Sequence, residues 1–201
     1  MLAYHVALVI TTLTLKFCEL HISRTSRTFE QIIQALRSGK QNIVEGSKEN
    51  SLKSYMRLVS VARASFEELK EDLKDYLTQH NLPLWDKNDP RVLEIRRIRI
   101  DGSAYWSNLA NWTNWTNSAE SFANLLVTLI SLETYLLDQL NRGLEKQFVQ
   151  QGDFAERLNE KRKEARKDPD EIRRQREDEW LAKLTEAIRT GKPQPEPLKW
   201  D

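Results

Sequence analysis

The sequence predicts an all-α protein: an antiparallel up-down four-helix bundle with a charged helical C-terminal extension. Three observations lead there. Charged side chains make up 30% of the 201 residues and hydrophobic ones 39%, with six glycines and six prolines, a balance that suits helices better than sheets. Apolar residues recur in steps of three and four along four long stretches, the period of a helix burying one face. The composition then changes after Gly152, and Glu156 to Lys167 is almost entirely charged. The expected organisation is a bundle over 1–152, containing a long Trp-rich connection at 81–118, and an extension over 153–201.

Taken in order, the first helix carries Val6, Val9, Leu13, Phe17 and Leu20 as one stripe. It is apolar enough to suggest a membrane span. However, Lys16 and Glu19 interrupt it and no basic segment precedes it, so a core helix of a cytoplasmic protein is expected. Cys18 is the single cysteine; it has no internal disulfide partner and is expected to be a buried thiol. The second helix runs from about Phe29 to Val44, and Gly46 and Ser47 end it. Asn50 or Ser51 can then cap the third. There Leu52, Tyr55, Val59, Ala62, Phe66, Leu69, Leu73 and Tyr76 alternate steps of three and four, the seam of a left-handed bundle.

Asn81 to Pro83 and the stretch through Pro90 break the helical pattern. Val92 to Ile100 suits a short helix or an extended segment equally. The tryptophans that follow are expected to pack this connection onto the bundle. The two Asn-Trp-Thr triplets read as chance matches to a glycosylation acceptor. The helix at about 119–151 offers two apolar stripes. One is Phe122, Leu125, Leu129, Leu132 and Leu136; the other is Leu126, Ile130, Leu137, Leu140 and Leu144. A monomeric core needs one stripe, so the second is expected to meet a neighbouring subunit. Leu58, Val61, Leu126, Ile130, Leu137 and Leu140 are the residues expected at that oligomer interface. Beyond it, Asp168-Pro169 resembles an N-cap and first helical position. Ile172, Trp180, Leu184 and Ile188 follow at helical spacing, as a docking helix or a solvated extension.

The residues offer little chemistry. Three histidines and one cysteine form no zinc-like spacing, and no phosphate loop, dinucleotide fingerprint or nucleophile elbow is present. The pairs Glu67-Glu68 and Glu71-Asp72 point in different directions around their helix. The expectation is a protein that is not an enzyme, with no cofactor, metal or small-molecule substrate.

One stretch asks for a specific reading: Arg37-Ser-Gly-Lys-Gln-Asn-Ile-Val-Glu-Gly-Ser47. It lacks the spacing of a phosphate loop. Ser38, Gly39 and Asn42 put compact groups on one side of the helix, where a neighbouring helix can approach closely. Asn42 can satisfy a buried polar group, and Glu45 can accept from the start of the next helix.

Together with SYMRLVSVARASFEELKEDL, this stretch resembles the signature of the four helix bundle family first noted in intervening sequences of 23S ribosomal RNA genes. Asn42, Ile43, Glu45, Gly46 and Ser47 match, with Val44 in place of the usual alanine, as do Ala62, Arg63, Ala64, Ser65, Glu68 and Leu69. FCELHISRTSRTFEQ and LLDQLNRGLEKQFVQQGDFAERL are similar to the longer subgroup with a C-terminal suffix, and the resemblance covers residues 1 to about 160. It implies a bacterial, non-enzymatic bundle assembled as a ring-shaped homo-oligomer, a pentamer. A related family, the accessory variability determinants of diversity-generating retroelements, implies as partners a reverse transcriptase and RNA or DNA.

The residues themselves leave two readings open. Arg24, Arg27, Arg37, Lys40, Lys48, Lys53, Arg57 and Arg63 could converge on one surface as a nucleic-acid interface, because phosphate binding needs several cations together. Alternatively they are solvated charges, and the chain is a protein-binding scaffold.

Overall fold

Four helices of this chain start where a side chain satisfies a free N–H group, and three end beside a residue of positive φ. The computed structural model of the protein describes residues 1–100, 109–165 and 169–197, with no strand among the described residues. The chain divides into two compact units, Met1–Phe154 and Ala155–Asp201.

In the first unit the helices are α1 (Leu2–His21), α2 (Arg27–Gly46), α3 (Leu52–Gln79), α4 (Pro90–Arg97) and α5 (Ala119–Gln151). A 3-10 turn, Leu109–Trp112, lies between the last two. Ser26 Oγ accepts from Phe29 N–H at 3.1 Å, Ser51 Oγ from Ser54 N–H at 3.2 Å and Ser118 Oγ from Ser121 N–H at 3.1 Å. Each is an N-cap of the kind worth about 1 kcal/mol. Asn81 (φ 54°) and Gly152 (φ 67°) follow the ends of α3 and α5 in the left-handed region.

Packing follows the apolar stripes. α2 lies on α3, α3 on α5, α5 on α1 and α1 on α2. The α3 seam is buried from Leu52 to Tyr76, with Tyr55 part-exposed. Phe17 meets Tyr76 and Phe122 edge-on, at centroid distances of 5.0 and 5.4 Å. Most of the predicted α1 stripe is in this core, but Leu20, next to the last residue of the helix, is exposed. α1 is long and apolar enough to cross a membrane, and half of that window is buried inside the protein.

Three of the six expected interface residues are corrected by this packing. Leu126, Ile130 and Leu137 are fully buried within the protomer, which leaves no surface for a neighbour. α5 contacts α1, α3 and α4, so its second stripe is covered from inside the same chain. The ambiguous segment Val92 to Ile100 is helical through Arg97, within α4, and leaves the helix at Ile98 with extended backbone angles. Asp89 accepts from Arg91 N–H at 2.9 Å, with Pro90 at the first helical position. Trp106, within the Trp-rich connection, lies outside the described residues.

In the second unit, α6 (Phe154–Ala165) buries no residue, consistent with its charge. α7 (Pro169–Thr190) carries the expected apolar positions, of which Ile188 is mostly exposed. The proline-rich tail returns along α7: Trp180 Nε1–H donates to the Glu196 carbonyl at 2.8 Å. Asp168, the expected cap of this helix, lies outside the described residues.

Candidate functional site

The family-like stretch sits where α2 crosses α3, and its small residues set how closely the two helices approach. A Cβ added to Gly39 would lie 2.9 Å from Phe66 Cε2, and one added to Gly46 would lie 2.8 Å from Tyr55 Cδ2. Ser38 and Ser65 share a hydrogen bond of 2.9 Å between the helices. Asn42 Nδ2–H donates back to the Ser38 carbonyl at 2.8 Å, so it steadies α2 itself. Glu45 does not reach α3. It accepts from Gln41 Nε2–H at 2.7 Å within α2, a correction that follows from its exposed position. Ser47 caps the helix end by donating to the Val44 carbonyl at 2.7 Å.

The eight cations do not form one surface. Arg24 and Arg27 stand at the start of α2, while Lys48 and Lys53 stand beyond its other end. The 20 residues of α2 span about 30 Å. Arg63 is taken up internally, with Nε 2.7 Å from Asp138 Oδ1 on α5. Arg37 lies on an α2 face that also presents Glu30, Gln34, Gln41 and Glu45, and Lys40 is half-buried. Lys48, Lys53 and Arg57 are the expected cations that share one region, exposed around the α2–α3 turn.

Opposite its buried seam, α3 presents a second face that changes character along its length. Lys53 and Arg57 occupy the N-terminal part. Ser60, Val61 (42% exposed) and Ala64 form an uncharged middle, and Glu68, Asp72 and Asp75 follow. Glu67 pairs with Lys70, and Glu71 with Lys74 at 2.7 Å, whereas Glu68, Asp72 and Asp75 form no ion pair among the described residues. Burial holds the Asp72 carboxyl above its usual range, and the charges of Asp75 and Glu68 raise it further.

Sequence reasoning did not find the polar groups that tie the connection down. Asn124, 2% exposed, accepts from Trp85 N–H at 2.8 Å and donates to the Pro83 carbonyl at 3.0 Å. Glu120 accepts from Trp85 Nε1–H at 2.7 Å, and the Arg91 guanidinium lies 3.8 Å above the Trp85 ring. Trp112 is fully buried. Asn124 reads locally as one more polar residue in an apolar helix; its partners in the connection lie 39 and 41 positions away.

Two buried titratable groups complete the electrostatics. Glu133, in the middle of α5, is fully buried, and among the described residues neither carboxylate oxygen has a hydrogen-bond partner. Burial pushes its carboxyl well above the usual range, which favours the neutral acid. Burial also pushes the Cys18 thiol up to about 11. Among the described residues, no group of three or more His, Cys, Asp or Glu side chains is placed to hold a metal ion. No known protein family, curated protein or solved structure matches the chain.

Proposed function

We propose that the chain is a non-enzymatic scaffold, an up-down four-helix bundle of the family its α2–α3 signature resembles, acting through its helix faces. The observation that carries this reading is the contact of Gly39 with Phe66. The most motif-like residues of the chain are occupied in bringing two helices together, leaving their polar groups satisfied by one another. The bundle arrangement is supported by the way each of α1, α2, α3 and α5 touches two of the others. It is further supported by the tie of Asn141 to Ser60 at 2.8 Å near one end and of Phe17 to Phe122 near the other.

A scaffold of this kind predicts a self-assembled particle whose ultraviolet spectrum is that of protein alone. Light scattering after size exclusion, on protein purified without nuclease, tests it. A particle carrying nucleic acid that salt removes would overturn it in favour of a nucleic-acid adaptor serving a partner such as a reverse transcriptase. Lys48, Lys53 and Arg57 favour that second reading: they are exposed within two turns of one helix start, and none forms an ion pair among the described residues. On that reading, Lys48→Glu with Lys53→Glu weakens RNA or DNA binding and flattens its salt dependence. Binding indifferent to both substitutions removes that surface.

A further inference from the structure

We infer that the outer face of α3 pairs with the same face of a second copy of this chain, antiparallel, about a twofold axis passing between Val61 and Ala64. At 100° per residue, Lys53, Arg57, Val61, Ala64, Glu68, Asp72 and Asp75 fall within about 100° of arc, on the side away from the buried seam. The face is therefore a single stripe with cations at one end, anions at the other and an uncharged middle.

That order is self-complementary under one operation. Turning a second α3 end for end about the Val61–Ala64 midpoint sets Arg57 opposite Glu68 of the partner subunit, and Lys53 opposite Asp72 of the partner subunit. Residues 57 and 68 are equidistant from the axis, about 8 Å along the helix on either side. Each contact occurs twice, as a twofold interface requires. A parallel pairing would instead set Lys53 against its own copy and the acids against theirs. The small side chains of Ser60 and Ala64 let the two helices approach, and Val61 then loses its exposure.

The outer faces of α2 and α1 do not offer the same match. The outer side of α2 mixes Glu30, Arg37 and Glu45, and that of α1 is uncharged through Thr12 and Leu15. The crowding of Asp72 with Glu68 and Asp75, without a cation among the described residues, also fits a carboxylate group that awaits positive charge from outside the protomer.

The inference deepens the scaffold reading and rests on its self-assembly. Its test is sedimentation of the full chain, nuclease-treated, as parent, Arg57→Glu, Glu68→Arg and the double swap. Each single swap places like charges together twice per dimer and is expected to raise the dissociation constant at least about tenfold. The double swap restores opposite pairing and returns it to within about threefold of the parent. Both positions of change are solvent-facing, so circular dichroism is expected to be unaltered. An assembly that ignores both single swaps, or a double swap that stays dissociated, overturns the α3 face and leaves the scaffold reading intact. A parent chain that is monomeric at every concentration overturns both.

Discussion

Asp153 caps α3 from 101 residues away: Leu52 N–H donates to its Oδ1 at 2.8 Å, while Ser51 Oγ–H donates to its Oδ2 at 2.9 Å. A carboxylate on the positive end of a 28-residue helix is placed where it stabilises most. It also ties the end of α5 to the start of α3. Asp153→Ala is expected to lower stability by about 1 kcal/mol, read from urea unfolding. An unchanged midpoint would mean that Ser51 caps α3 alone.

Gly39 and Gly143 separate packing from helix propensity. Among the described residues, alanine at Gly143 meets nothing within 4 Å, so Gly143→Ala is expected to stabilise by up to about 1 kcal/mol. Alanine at Gly39 meets the fully buried ring of Phe66, which has nowhere to move. Gly39→Ala is therefore expected to destabilise by about 1–3 kcal/mol despite the better propensity. Equal shifts in melting temperature for the two variants would contradict the close approach of α2 and α3.

Glu133 gives the fold a pH dependence of definite sign. Its folded pKa is raised above the ordinary 4.5, so above that pH the unfolded chain releases a proton the native state keeps. Stability then falls as pH rises from about 4.5 toward the folded value, by up to about 1.4 kcal/mol per unit. Glu133→Met removes this slope and is expected to be more stable than the parent at pH 8 by more than at pH 5. Parallel pH profiles for the two proteins would show that Glu133 is ionised and partnered in solution.

Cys18 is expected to resist thiol reagents in the native protein, since it is 1% exposed and its thiol is pushed up to about 11. Modification should follow unfolding, with rates that rise in denaturant. Rapid native labelling would mean that α1 opens readily from the core.

The helices were legible because their signals are local. The α3 seam needs only a 3.6-residue period, and Ser51 needs only its place before Leu52. The coverage of α5 was not legible. Periodicity shows that Leu126 and Ile130 form an apolar stripe, but α1, α3 and α4 are what cover it, and a single sequence does not record that arrangement. The start of α4 carried a readable signal in Asp89-Pro90, the same cap and first-turn pair that marks Asp168-Pro169. The polar ties were hidden for a different reason. Asp153 to Leu52 and Asn124 to Trp85 join residues whose separation only the folded chain closes. Of the motif stretch, the close packing at Gly39 was readable from residue size, whereas the dispersal of the cations required the length of α2.

A cysteine on the outer face of α3 reports directly on the pairing of that face, because Cys18 is buried and its thiol is pushed up to about 11. Val61→Cys, treated with a short bifunctional maleimide at low concentration, is expected to give a covalent dimer in high yield. Thr12→Cys on the outer side of α1 should give little. Equal yields from the two positions, or no dimer from Val61→Cys, would contradict the pairing of α3 with its own copy.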